Sequence, residues 1–172
     1  LILIDEIDKL GSDYKGDPSS ALLEVFDTEQ NTAFRDHFIE LPFDLSDVLF
    51  VTTANTLDTI PAPLRDRMEI IELSSYTDEE KLQIAKKHLM PKQLKKHGLK
   101  ASQLRVSDAA LRRVISEYTR ESGVRTLERQ LAKLCRKADR RILETECKQV
   151  RVTEDNLSAF LGVPRFKNEK MT

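Results

Sequence analysis

The sequence contains no tryptophan, and only 6% of its 172 residues are aromatic. Aromatic side chains bury the most area per residue, so a core here must rest on aliphatic ones. Two cysteines, Cys135 and Cys147, are too few for a disulfide framework and match no metal-ligand spacing. A reducing intracellular compartment is the expected setting. No apolar run approaches the ~20 residues needed to span a bilayer. No basic segment precedes the first apolar run, so a secretory signal is not expected. Five glycines and six prolines form no low-complexity tract, and no internal repeat occurs. What is present, 40% hydrophobic and 33% charged residues, fits a globular chain of one domain or two small ones.

The net charge of −1 conceals a division. Residues 1–75 carry 16 acidic and 5 basic side chains, whereas residues 76–172 carry 13 acidic and 23 basic ones. Two units with different partners are the natural expectation.

The first half alternates strand and helix signals. Leu1-Ile2-Leu3-Ile4 is a continuous apolar run, as expected of a parallel strand buried on both faces. A polar, glycine-containing loop follows from Gly11 to Ser20, and Asp17 or Ser19 is placed to cap a short helix through Ala21–Phe26. Val48–Val51 reads as a second buried strand, Ile60–Leu64 as a short helical turn and Met68–Leu73 as a third strand. This is the grammar of an α/β sheet. Around Tyr76 it changes. Thr77 and Glu80 form a capping-box signature ahead of a helix near 77–90. A second helix is expected near 107–121, from Ser107 to just before Gly123. A third, near 124–146, carries Val124, Leu127, Leu131, Leu134, Ala138 and Ile142 as one apolar stripe. Its polar faces hold Arg129, Lys133, Arg136, Lys137, Arg140 and Arg141. Val150-Arg151-Val152 is a short extended segment, and Thr153 is expected to cap a last helix ending at Gly162.

Four groups of residues carry chemistry. Leu1–Ile4 followed by Asp5-Glu6 matches the Walker B element of P-loop NTPases. Such a strand delivers its acids to the carboxyl edge of the sheet, where nucleotide sites form. Asp5 is then placed to hold Mg²⁺ through water, and Glu6 to orient and polarise the attacking water. The alternative is an acidic pair that merely caps the next helix. Thr52-Thr53-Ala54-Asn55, at the end of the second strand, looks like a sensor-1 element, with Asn55 reaching the γ-phosphate or the lytic water; Asn55 as an ordinary turn residue is the alternative. Pro63–Met68 contains Arg65 and Arg67 where AAA+ proteins carry an arginine finger for the neighbouring subunit's nucleotide. The resemblance favours Arg67, and an ion pair among Arg65, Asp66 and Arg67 is the plainer reading. Thr119–Arg125 resembles the sensor-2 segment of an AAA+ small domain, with Arg125 closing on the nucleotide of its own subunit and the helix N-terminus adding attraction for anions. Read plainly, Arg125 is one more solvated charge.

Longer stretches carry a family resemblance. Asp5–Leu10, Gly16–Glu24, Ile60–Glu69, Thr119–Arg125 and Leu161–Phe166 are similar to Lon proteases almost residue for residue, and the resemblance covers nearly the whole chain. It implies a partial AAA+ (P-loop NTPase) α/β core over residues 1–75. An all-α small (lid) domain with a short extended segment then covers 76–166, and the start of a linker to a protease domain covers 167–172. It further implies ATP and Mg²⁺ as cofactors, a homohexamer, unfolded protein substrates, no membrane, and a bacterial cytoplasmic location with the mitochondrial matrix as alternative. Tyr14, in the loop after Walker B, is then expected in a pore loop gripping substrate; as a residue alone it is equally a partly buried loop tyrosine. Another AAA+ unfoldase or helicase loader would share Asp5, Glu6, Asn55 and the arginines. The basic half also admits DNA binding, as either an added or a separate function.

No Gly-x-x-x-x-Gly-Lys-[Ser/Thr] occurs among the 172 residues, and neither the first pore loop nor a Ser-Lys dyad is recognised. A fragment is expected, inactive alone. In AAA+ sheets the P-loop strand lies between the sensor-1 strand and the strand at Met68–Leu73. Its lack is expected to leave a gap, disorder or pairing with a neighbouring chain in the first half. His37, His88 and His97 are expected at the surface or in structural roles, Cys135 in the core and Cys147 exposed.

Overall fold

A computed structural model describes residues 1–10, 18–35, 38 and 41–166. The chain divides into two compact units, Leu1–Glu72 and Leu73–Thr172.

In the first unit the chain forms β1 (Ile2–Ile4), α1 (Pro18–Phe26), a short antiparallel pair of β2 (Phe34–Arg35) and β3 (Pro42–Phe43), then β4 (Phe50–Thr52) and α2 (Ala62–Arg65). β1 and β4 pair in parallel, with Ile2 opposite Phe50, Leu3 opposite Val51 and Ile4 opposite Thr52. A parallel pair needs a long crossover, and α1 with the β2–β3 hairpin lies within it. Ile7, Ile60 and Leu64 form a small buried core, joined by Leu22, Leu23, Phe26, Leu57 and Met68. The Phe26 and Phe50 rings meet edge to face at 5.5 Å. An apolar cavity of about 490 Å³ opens between Ile2, Ile4, Leu22, Val25, Phe34 and Phe50, and among the described residues its lining includes no acid or arginine.

Three expectations fail in this unit. Val48–Val51 is not a buried strand: β4 is Phe50–Thr52, with Leu49 63% and Val51 41% exposed. The Leu1–Ile4 run is not buried on both faces: Leu1 is 80% and Leu3 61% exposed. Only two strands make up this sheet among the described residues, and the Leu1 and Leu3 side chains stand open to solvent. Met68–Leu73 is not a strand. Met68 closes a turn, and residues 69–77 take no regular form, with Leu73 91% exposed. Among the described residues no strand lies beside this segment, so it has no ladder to join.

The second unit runs α3 (Asp78–Ile84), a π-helical turn (Ala85–Leu89), α4 (Met90–Lys96), β5 (Leu104–Val106), α5 (Asp108–Arg113), a second π-helical turn (Val114–Tyr118), α6 (Arg125–Thr145), β6 (Val150–Val152) and α7 (Leu157–Leu161). The capping box forms: the Thr77 hydroxyl accepts Glu80 N–H, and the Glu80 carboxylate accepts Thr77 N–H at 2.8 Å. The helical run passes its expected end near residue 90. The π-helical turn shifts the hydrogen bonding just before Pro91, which has no N–H to give. Ser107 caps α5 by accepting Ala110 N–H at 3.1 Å. That run stops at Tyr118, short of the expected 121, where Thr119 turns extended.

α6 confirms the apolar stripe: Leu127, Leu131, Leu134, Cys135 and Ala138 are fully buried. They pack with Leu82, Leu111, Val114, Val152 and Leu157 into one core. β5, which no sequence signal marked, pairs in parallel with β6 through Leu104–Val150 and Val106–Val152. The last helix begins at Leu157 rather than after Thr153, because Thr153 N–H donates to Asn156 Oδ1 and closes a turn first. Cys147 is half-buried rather than exposed. It packs against the core, and the Thr145 hydroxyl donates to its Sγ at 3.2 Å. His88 is exposed, and His97 Nδ1 lies 2.8 Å from the Gln93 carbonyl. His37 lies outside the described residues. Among the described residues no helix is long and apolar enough to cross a membrane, and no cluster of three metal-binding side chains occurs.

Candidate functional site

β1 ends in Asp5 and Glu6, and β4 ends in Thr53, at the same edge of the sheet because the strands are parallel. Thr53 ties the two ends together. Its N–H donates to the Ile4 carbonyl at 3.0 Å, and its carbonyl accepts Ile7 N–H at 2.9 Å. Its hydroxyl accepts Glu6 N–H at 3.0 Å and donates to the Asp5 carboxylate. Glu6 has φ 57° and ψ 48°, a left-handed conformation that costs a residue with a Cβ roughly 1–2 kcal/mol. The bonds on either side of Glu6, through Thr53, hold it there. This twist carries the chain out of β1 and leaves both carboxylates exposed at the edge. Lys9 Nζ lies 2.6 Å from Glu6 Oε2, and that bond raises the Lys9 pKa, keeping the ammonium charged. An acidic pair that merely caps a helix would put a carboxylate on helix N–H groups, and Glu6 makes no such bond to the turn Ile7–Lys9.

Thr53 is the residue that sequence reasoning missed. The signal was the strand register: Ile4 opposite Thr52 puts Asp5 opposite Thr53. Asn55 is exposed at a bend two residues on, and its side chain makes no hydrogen bond among the described residues.

The arginines of the first unit differ. Arg67 is exposed, its guanidinium 3.1 Å from Asp27 Oδ2 and donating to the Pro63 carbonyl at 3.1 Å. Its ion-pair partner is therefore Asp27, forty positions back in the chain, and not Asp66. Glu29 N–H and then Arg67 hold the Asp27 carboxyl below its ordinary value. Arg65 is half-buried, and its Nε has no partner among the described residues.

In the second unit Arg125 is the first residue of α6 and is exposed. Two N–H groups of that helix end are already taken. The Glu121 carboxylate accepts Thr126 N–H at 2.8 Å and Leu127 N–H at 2.7 Å. Gly123 has neither a left-handed φ nor any atom within 4 Å of where a Cβ would stand, so the turn's own packing does not demand glycine. On the basic faces of α6, Lys133 donates to the Leu161 carbonyl, Arg140 pairs with Glu144 at 2.6 Å, and Arg141 lies over the Phe160 ring. Arg129, Arg136 and Lys137 are exposed. Tyr14 lies outside the described residues.

A parallel strand pair with two acids and a polar clamp at its carboxyl edge, followed by a helical unit, fits part of an AAA+ ATPase. The model of the ATPase family associated with various cellular activities matches residues 1–76, and that of the Lon protease AAA+ ATPase lid domain matches residues 95–151. Lon protease of Desulforamulus reducens is 59% identical over 167 residues, covering 97% of this chain and 21% of that protein. Lon protease 1 of Bacillus subtilis is 59% identical over 167 residues, covering 97% and 22%. Lon protease 2 of Thermus thermophilus is 58% identical over 169 residues, covering 98% and 21%. A solved structure of the Bacillus subtilis Lon protease SSD domain is 53% identical, covering 55% of this chain and 99% of that one, with a TM-score of 0.46. The chain belongs to the Lon protease family, as part of its AAA+ ATPase region: a partial α/β core followed by a helical lid. It spans about a fifth of the length of the curated relatives it matches.

Proposed function

We propose that these residues belong to the ATPase module of an ATP-dependent, Lon-type serine protease, and that Asp5 and Glu6 ready water for ATP hydrolysis. The observation that carries this reading is the Thr53 clamp, which fixes both acids at one sheet edge. The donor set, two exposed carboxylates, suits a hard divalent cation that retains most of its waters. Asp5 would hold magnesium there, and the ion would supply neutralisation of phosphate charge. Glu6 takes a proton from the attacking water as its oxygen bonds to the γ-phosphorus and the bond to the bridging oxygen breaks, releasing ADP. Asn55, exposed two residues after Thr53, orients that water or the γ-phosphate. Arg67 acts as the finger in a neighbour's site, after release from Asp27, and Arg125 meets the phosphates as sensor 2.

The domain assignment follows the same reading: residues 1–75 complete the AAA+ core, 76–166 form the lid and 167–172 begin a linker. Tyr14 grips substrate from a pore loop. The whole protein is a homohexamer that unfolds damaged and regulatory proteins and threads them into a degradation chamber, in a bacterial cytoplasm. These 172 residues alone, without a phosphate-binding loop, turn over neither ATP nor protein.

The test is Glu6→Gln in the full-length protein. ATP binding is expected to persist while turnover falls by about 10²–10⁴-fold, the range a positioned general base supplies. Turnover that survives the substitution refutes the role given to Glu6.

A further inference from the structure

The turn from Thr119 to Val124 is held from several sides by groups that have no part in the chemistry above. A helix leaves its first N–H groups without intrahelical partners, and Val124, the N-cap of α6, has no side chain to satisfy them. Glu121 does so from three residues further back. One carboxylate oxygen takes Thr126 N–H and the other takes Leu127 N–H. A negative charge at that end also faces the favourable pole of the helix dipole. Leu127 is fully buried, so the bond ties Glu121 to the core of the second unit.

The main chain of Glu121 is held as well. Its carbonyl accepts from Lys81 Nζ at 2.5 Å, and Lys81 is only 7% exposed. A buried ammonium is a costly choice where only packing is needed, and the bond Lys81 makes is to this turn. The next carbonyl, of Ser122, accepts Tyr76 N–H at 3.1 Å. The stretch just after the boundary at Glu72 and the first turn of α3 are thus both bonded to the residues that precede Arg125. Arg125 itself stands exposed beside this anchored turn.

We propose that Glu121 is a positioning residue for nucleotide use: with Lys81 it fixes the turn that presents Arg125, and it acts through Arg125 rather than on the nucleotide. The proposal rests on the reading of Arg125 as the arginine that meets the nucleotide phosphates. Because the Glu121 carboxylate occupies Thr126 N–H and Leu127 N–H, phosphate recognition at this helix end falls to the Arg125 guanidinium.

The experiment is a double-mutant cycle in the full-length ATPase, measuring KM and kcat for ATP in Arg125→Ala, Glu121→Ala and the pair. Glu121→Gln is added because its amide keeps one acceptor oxygen for the helix end, so the turn persists if Glu121→Ala fails to fold. Glu121→Ala is expected to lower kcat/KM for ATP by about tenfold, as loss of a charge-assisted clamp would. Glu121→Gln should fall between it and wild type, and the pair should be no worse than Arg125→Ala alone. A Glu121 effect that multiplies that of Arg125→Ala would mean a separate structural role and would overturn the proposal. Impairment by Arg125→Ala with wild-type behaviour in both Glu121 variants would sink the proposal and leave the reading of Arg125 standing. If Arg125→Ala changes neither KM nor kcat, the reading of Arg125 itself fails, and the proposal with it.

Discussion

Leu3 and Leu131 both sit in regular structure, yet Leu3 is 61% exposed and Leu131 is fully buried. The second unit closes on itself: α6 lays its stripe against residues from α3, α5 and α7, and β6 finds a partner in β5. The first unit offers strands of similar apolarity, but its core reaches only Ile7, Ile60 and Leu64 and the residues around them. An apolar run reports what a segment is able to bury. Whether it does so depends on which other segments are there to cover it.

That contrast is open to direct attack. The largest expected difference is in stability. Leu131→Ala removes a packed side chain from a closed core and should cost about 2–5 kcal/mol in denaturant unfolding followed by circular dichroism. Leu3→Ala, on an open strand, should change stability by no more than roughly 0.5 kcal/mol. Equal losses would break the comparison.

A smaller difference lies in thiol chemistry within the second unit. Burial pushes the Cys135 thiol up to about 11, so it should resist alkylation in the native protein. Half-buried Cys147 should be modified first, and peptide mapping after brief labelling decides between them.

The smallest effect is on pH. Thr77 N–H, and then the Thr77 hydroxyl, hold the Glu80 carboxyl below its ordinary 4.5. A depressed carboxylate contributes stability that is fully present above 4.5 and is lost as pH falls through the lower folded value. The start of α3 should therefore loosen only in acid below 4.5; Glu80→Gln should flatten that dependence in a pH-resolved melt, and Thr77→Ala, which keeps the N–H, should only reduce it.

Features set by nearby residues were legible in the sequence. The Thr77–Glu80 box spans four positions, and the α6 stripe repeats within one helix, so local chemistry decides both. Pairings between distant segments were not. β5 is three residues long and becomes a strand only because β6, more than forty residues on, lies beside it. Met68–Leu73 had the composition of a strand, and among the described residues no strand lies beside it. At the sheet edge, Asp5 and Glu6 were visible because the two acids stand at the end of an apolar run. Thr53 was hidden, since its role follows from which residue stands opposite Asp5. Glu121 was hidden for another reason: it caps α6 from outside the usual N-cap position, where capping patterns are not sought.

The central claim is that the Thr53 clamp readies Asp5 and Glu6 for catalysis, and ATP turnover by Thr53 variants of the full-length protein tests it most directly. Thr53→Val keeps the shape and removes the hydroxyl that binds Glu6 N–H and the Asp5 carboxylate; kcat should fall about 10²-fold, as a misplaced catalytic group costs. Thr53→Ser keeps the hydroxyl and should retain most of the activity. Turnover by Thr53→Val equal to that of Thr53→Ser would contradict the account.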